Sequence, residues 1–247
     1  YNGYLFVVGG CNVGISVCDI AGESVSTVYS ASIKNDGTLG GVYTTLTYLP
    51  KELGASSAVA YNGYLFVSGG QDAAIQSTVY SSPIKSDGTL GAFSTLTYLP
   101  LVRTASSAAS YNGYLFVTGG CNVLLSACDA AGETVSTVYS APIKADGTLG
   151  TFSTLTYLPQ ALGAHSATSY NGYLFVVGGQ AGATVQSTVY SAPILSDGTL
   201  GAFSTLTYLP LVRTASSVVA YNGYLYVVGG CNVGITTCDA AGETVST

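Results

Sequence analysis

The 27 residues that open the chain, YNGYLFVVGGCNVGISVCDIAGESVST, return nearly unchanged at 111–137 and again at 221–247, which sets a repeat of 110 residues. A shorter version of the block starts at Tyr61 and at Tyr170, so the YNGY marker recurs after 60, 50, 59 and 51 residues. Self-similarity at periods of this size belongs to propellers, solenoids and arrays. In each of them one supersecondary unit buries its apolar faces against copies of itself. Both ends of the chain fall at nearly the same phase of the repeat, an overlap that an ordinary closed ring does not need.

Each unit reads as four short strands. Within 105–159, residues 105–110 (ASSAAS) are a run of small side chains, and Tyr111-Asn112-Gly113 supplies the positive-φ turn of a tight hairpin. Residues 114–118 (YLFVT) are unbroken in their hydrophobicity, as in a strand buried on both faces, and Gly119-Gly120 ends them. After a cysteine-containing loop, 137–143 (TVYSAPI) leads into the Asp146-Gly147 turn. Residues 152–158 (FSTLTYL) alternate apolar and polar, which predicts a fourth strand nearer the surface, stopped by Pro159. No helical periodicity occurs. The pattern predicts an all-β chain of four-stranded antiparallel propeller blades, with the small-residue strand innermost and the Thr/Tyr strand outermost. Pro83, Pro142 and Pro193 lie in third strands, where they must take edge or non-donating positions.

At 247 residues the chain can bury a substantial core as one repeat domain. Only 7% of residues are charged, against about 25% in an ordinary globular protein. The surface must therefore be made from Ser, Thr, Gly, Asn and the 20 tyrosines. With so little charge repulsion, such a surface is expected to associate, including with copies of itself. A net charge of −6 with six basic residues excludes nucleic acid and anionic membrane as partners. No apolar stretch approaches the ~18 residues of a membrane-spanning helix, so no membrane insertion is expected. The sequence shows no signal peptide and no methionine, and reads as a processed product, an excised fragment or part of something longer.

The six cysteines fall in three pairs of identical spacing, Cys11/Cys18, Cys121/Cys128 and Cys231/Cys238, each in the insertion that lengthens alternate units. A disulfide closing each loop suits the even count and an oxidising, extracellular or cell-surface setting. The competing metal site would need further ligands, and the insertion offers only Asp19 and Glu23.

These residues resemble the kelch repeat. A kelch blade carries a proline, an arginine three residues on and a histidine six residues on, followed by an apolar strand, a turn, an aromatic-rich strand and a double glycine. Here Pro100 precedes Arg103 and Pro210 precedes Arg213 at that spacing, and Pro159 precedes His165. The double glycines are Gly9-Gly10, Gly69-Gly70, Gly119-Gly120, Gly178-Gly179 and Gly229-Gly230. The VYSAPIK-x-DGTLG-x-F stretch is similar to the version found in exported bacterial proteins of the kelch and galactose-oxidase-like group. The resemblance covers the whole chain and implies a kelch-type β-propeller. Its blade 1 (1–50) lacks a first strand, blades 2 (51–100), 3 (101–159) and 4 (160–210) are complete, and blade 5 (211–247) is partial. It also implies a structural role for His165. The chain departs from the pattern at Leu53 and Leu162, in the arginine position, and at Val42, Phe93, Phe152 and Phe203, in place of the usual tryptophan. Kelch rings often close through a blade assembled from both termini, but here both ends supply the same second strand. The expectation is further blades outside this sequence, a longer repetitive polymer, or subunits that complete one another by strand exchange.

No catalytic constellation stands out. Galactose oxidase needs a copper site of histidines and tyrosines with a cross-linked cysteine, and one histidine beside paired cysteines cannot assemble it. Asp36, Asp87, Asp146 and Asp197 each precede a turn glycine, a structural use. Asp19, Asp129 and Asp239, with Glu23, Glu133 and Glu243 four residues on, give each cysteine loop an acidic element. That element could offer oxygen ligands to calcium or be a solvated rim; otherwise no cofactor is expected. The segments GGCNVG and GGQAGA lack the Lys-Ser/Thr and helix of a phosphate loop, and no Asn-X-Ser/Thr sequon occurs. The loop bearing Asn12, Val13 and Ile15, alternating with short loops at Gln71 and Gln180, is either a projecting contact element or a shield for the blade beneath. Together these features predict a non-enzymatic extracellular structural or adhesive repeat protein that self-associates into a filament or array. The alternative is a module binding carbohydrate or cell-surface protein through exposed tyrosines and polar loops.

Overall fold

The computed structural model describes residues 1–14, 18, 22–238 and 244–245. Among the described residues five antiparallel sheets and one small two-stranded ribbon follow one another along the chain. The first joins β1 (Tyr4–Val8), β2 (Val28–Ile33) and β3 (Leu39–Thr45). The second joins β4 (Ser57–Tyr61), β5 (Tyr64–Ser68), β6 (Val79–Pro83) and β7 (Ser94–Thr95). The third repeats the order with β8 (Ser107–Tyr111), β9 (Tyr114–Thr118), β10 (Val138–Pro142) and β11 (Ser153–Thr154). The fourth contains β12 (Ser166–Tyr170) and β13 (Tyr173–Val177), then, beyond the small ribbon of β14 (Gln180–Ala181) and β15 (Thr184–Val185), β16 (Val189–Pro193) and β17 (Ser204–Thr205). The fifth has only β18 (Ser217–Tyr221) and β19 (Tyr224–Val228). Three complete four-stranded sheets are thus flanked by incomplete ones at both ends, as the repeat phase predicts.

The hairpins form for the expected reason. Asn62 and Gly63 both take positive φ (46° and 81°), and the same pair recurs in every sheet, which matches the turn twist to the strand twist. Register then pairs Tyr61 with Tyr64 and Ala58 with Val67. The innermost strands β4, β8, β12 and β18 contact one another in succession and so surround a common axis. Their small side chains permit that approach, and serines fasten it. Ala108 N–H donates to Ser57 Oγ (2.7 Å), Ala167 N–H donates to Ser107 Oγ (2.8 Å), and Ser169 Oγ donates to the Ser110 carbonyl (2.8 Å).

Between sheets lie the cores. Phe6 and Val28 of the first sheet share one with Leu65 and Val67 of the second. Phe66 of the second shares the next with Leu115 and Val117 of the third, and Phe116 of the third shares another with Leu174 and Val176 of the fourth. Each interior second strand therefore buries both faces, β5 and β9 almost completely. In β1 and β19 alternate residues face solvent instead.

The fourth strand differs from its sequence expectation. Residues 152–158 were expected to be strand throughout, but only Ser153–Thr154 pair with β10. Beyond them Leu155 N–H and Leu158 N–H each donate one hydrogen bond, to Val138 O and Ser136 O (both 2.8 Å), which keeps both leucines buried without a continuous ladder. The proline at the end of the third strand, having no N–H, accounts for the missing pairs on the Leu149 side only; the ending after Thr154 does not depend on it, since β3 stops at the equivalent Thr45. In the first sheet Ser32 stands in that place, the pairs Ser32↔Gly40 and Ile33↔Leu39 form, and β3 runs for seven residues.

Candidate functional site

Two features concentrate the chemistry, a face covered by the cysteine loops and an axial cavity beneath it. On the face, Cys11–Cys18, Cys121–Cys128 and Cys231–Cys238 form disulfides with Cα–Cα separations of 5.9, 5.7 and 5.9 Å. Cys121 also bridges Thr104 and Thr134, so each closed loop begins as an extension of the sheet. The 3-10 turns Leu125–Ala127 and Ile235–Thr237 touch one another. Leu125 and Ile235 are buried with Cys121, Cys128, Ala105 and Ala164. The loops of the third and fifth sheets therefore fold inward over the axis. Asn12 and Val13 in the first loop are exposed, and Ile15 lies outside the described residues.

Two glutamines link these loops. Gln71 Nε2 donates to the Cys18 carbonyl (3.0 Å), while its Oε1 accepts from Leu125 N–H (2.8 Å). Gln180 Nε2 donates to Asp129 Oδ1, and its Oε1 accepts from Ile235 N–H (2.8 Å). Both glutamines are fully buried. Each occupies the position after Gly-Gly that cysteine holds in the alternate units. That alternation was visible in the sequence, but the bridging role was not, since nothing in sequence shows that a short loop reaches both longer neighbours. The other carboxylate oxygen of Asp129 accepts from Thr236 Oγ1, so this acidic loop residue is spent on joining loops. Glu23 and Glu133 give their backbone carbonyls to Asn12 and Asn122 N–H (2.9 and 3.1 Å). Asp19, Asp239 and Glu243 lie outside the described residues. Among the described residues no three His, Cys, Asp or Glu side chains gather as a metal site.

The axial cavity, about 350 Å³, is lined by Ser56, Ser57, Ser106, Ser107, Ser166, Ser216 and Ser217 together with His165. His165 replaces a serine that its three neighbouring units keep. Its Nε2 lies 2.7 Å from Thr118 Oγ1, which fastens the fourth sheet to the third. Burial pushes its pKa down to about 4, so the ring is neutral at physiological pH.

The arginines and double glycines hold backbone. Arg103 is buried, with its guanidinium carbon 5.3 Å from the centre of the Tyr139 ring and Nη2 donating to the Tyr139 hydroxyl (3.0 Å) and to Thr137 Oγ1. Burial holds its pKa below the ordinary arginine value. Arg213 Nη1 donates to the Gly229 carbonyl (2.6 Å). Gly10, Gly70, Gly120 and Gly179 N–H groups donate to the carbonyls of Leu53, Arg103, Leu162 and Arg213 in the following sheet, at 2.7–2.9 Å. Leucine and arginine thus alternate at one structural position, and Leu53 and Leu162 are fully buried there. The turn aspartates Asp36, Asp87, Asp146 and Asp197 each accept from a Thr side chain and N–H two residues on, which holds their pKa values below the usual range. Tyr48, Tyr98, Tyr157 and Tyr208 stand exposed at one repeated position outside the short fourth strands.

No family model matches the chain, and no curated protein matches it. Among solved structures, that of YjhT, a kelch-type β-propeller, aligns with a TM-score of 0.71 over 94% of this chain and 70% of its own. The fold is a β-propeller. At 14% identity the likeness concerns architecture alone. The sheets are blades, the serine-lined cavity is the propeller axis, and the disulfide loops cover one end of it. Among the described residues no helix is long and apolar enough to cross a membrane.

Proposed function

We propose that this chain is a non-enzymatic structural module of the kelch-propeller kind, working outside the cell and joined to copies of itself. The observation that carries this reading is the bracing of the loop face. Three disulfide-closed loops are tied into one belt by Gln71 and Gln180, and the acid best placed for other chemistry, Asp129, is consumed in that belt. Such bracing favours durability in an oxidising setting over the opening and closing of a catalytic site. The sparse charge favours association, because little repulsion opposes contact between copies. The single histidine is a buried ring, neutral at physiological pH, whose Nε2 is taken up by Thr118 Oγ1 in fastening two sheets. Intact-mass analysis with and without reductant, and light scattering across a concentration series, test the two halves of the proposal. Free thiols in the native protein, or turnover of a substrate, would count against it.

A second reading is favoured by the exposed ring of Tyr48, Tyr98, Tyr157 and Tyr208. Tyrosines presented at one repeated position suit a carbohydrate- or protein-binding surface, since each offers an apolar ring and a polar tip. Glycan-array binding that is lost on Tyr98→Ala and Tyr157→Ala would select this reading over the first.

A further inference from the structure

The hairpin turns carry a chemically fragile dipeptide. In Asn-Gly the glycine has no side chain to hinder attack by its nitrogen on the asparagine Cγ. The N–Cγ bond then forms, the Cγ–Nδ2 bond breaks, and ammonia leaves with the glycine amide proton. Water opens the resulting five-membered imide at either carbonyl, giving aspartate or isoaspartate.

Three of these turns allow a controlled comparison. At Asn62, Asn112 and Asn171 φ is 46°, 46° and 49°, and at the glycine that follows each it is 81°. All three asparagines are exposed. The carbonyls of Gly63, Gly113 and Gly172 each accept from the isoleucine after the third strand, Ile84, Ile143 or Ile194, at 2.7 Å. Residues 110–116 and 169–175 are the same seven amino acids, SYNGYLF.

What differs is the attacking nitrogen. Gly63 N–H donates to the Tyr1 hydroxyl (2.6 Å) and Gly113 N–H to the Tyr61 hydroxyl (2.8 Å), in each case the first tyrosine of the preceding YNGY turn. Gly223 N–H is held by Tyr170 in the same way (2.9 Å). Among the described turns that follow another blade, Gly172 is the exception. No hydrogen bond holds its N–H, and the Tyr111 hydroxyl lies 3.9 Å from where a Cβ would sit. An N–H donated to a phenol oxygen is fixed in both its proton and its direction, and that bond must break before the nitrogen attacks. A bond of ordinary net strength slows the attack roughly 5-fold.

We propose that Asn171 is a site of spontaneous deamidation, converting to aspartate and isoaspartate ahead of Asn62 and Asn112. The leading tyrosine of a YNGY turn then has a second role, as the guard of the asparagine in the next blade. The Asn-Gly turn joins first strand to second, and the disulfide loops follow the second. Conversion therefore places a new carboxylate at the end of the blade opposite those loops. It adds one negative charge to a chain of net charge −6, and isoaspartate also lengthens the backbone of the turn that pairs β12 with β13. The reaction needs only water and depends on neither reading of the function.

Peptide mapping of the folded 247-residue chain tests this. The protein is held at mildly alkaline pH, sampled over days, digested in acid and read by mass spectrometry that resolves isoaspartate. Asn171 should convert roughly 5-fold faster than Asn62 and Asn112. In denaturant Asn112 and Asn171 should convert at one rate, since their flanking residues are the same. Tyr61→Phe should raise Asn112 to the rate of Asn171 and leave Asn171 unchanged. Equal rates at Asn112 and Asn171 in the folded wild type overturn the proposal, with no variant needed. An Asn112 rate that Tyr61→Phe leaves unchanged overturns the guard role. So does a variant that raises Asn112 and Asn171 alike, because looser folding rather than the hydroxyl then sets the rate.

Discussion

His165 holds the place that Ser56, Ser106 and Ser216 hold in the neighbouring blades, and it alone among these residues carries a titratable ring. Its folded pKa, about 4, lies below the ordinary 6.5, so between those values the unfolded chain binds the proton and the folded one does not. Stability is complete above pH 6.5 and falls as pH drops from 6.5 towards 4, by about 3 kcal/mol in all. His165→Ser should remove that slope, which chemical denaturation at pH 7, 5.5 and 4.5 would measure. The turn aspartates act lower down. Their folded pKa values lie below 3.8, so their contribution is present above that pH and is lost only in stronger acid. Gly119 answers to sterics instead. Its φ is +48°, and a Cβ would stand 2.5 Å from the Leu162 carbonyl and 2.8 Å from the His165 ring. Gly119→Ala should cost roughly 3 kcal/mol, read as a fall in the urea midpoint.

At the scale of elements, the loops are held by closure and by latching, and the two can be separated. Serine at both Cys121 and Cys128 opens a loop of seven-residue separation and should cost roughly 2–3 kcal/mol by the chain-entropy relation. Gln180→Ala leaves the disulfides intact but strands Ile235 N–H and one Asp129 oxygen. It should cost about 2 kcal/mol and raise hydrogen exchange at the Ile235 amide while the Leu125 amide, held by Gln71, stays protected. The sequence carried the cysteine pairing, the Asn-Gly hairpins and the order of strands, because each rests on local chemistry or even spacing. It carried less of the loop face. Gln71 and Gln180 act across about fifty residues on either side, a reach that depends on how blades are placed around the axis. The short fourth strands were foreseeable in part, since Pro83, Pro142 and Pro193 remove a donor. The alternation of FSTLTYL instead suggested a full strand, because Leu155 and Leu158 are buried by single hydrogen bonds and packing rather than by a ladder.

The whole molecule is a row of near-identical units in which each blade is stabilised mainly by the neighbours on its two faces. Among the described residues β5 and β9 bury nearly all of both faces, whereas in β1 and β19 alternate residues face solvent. A space of about 610 Å³ lies between the fourth and fifth sheets, lined by Val177, Val189, Leu206, Leu209, Leu225 and Val227. Opening of the ends should therefore cost far less than opening of the middle. Amides of β18 and β19 should exchange at least ~10-fold faster than those of β8 and β9 in dilute solution, although their local hairpins are the same. Uniform protection across all five blades in dilute solution would mean that the chain unfolds as one cooperative unit, and the nearest-neighbour account of its stability would fail.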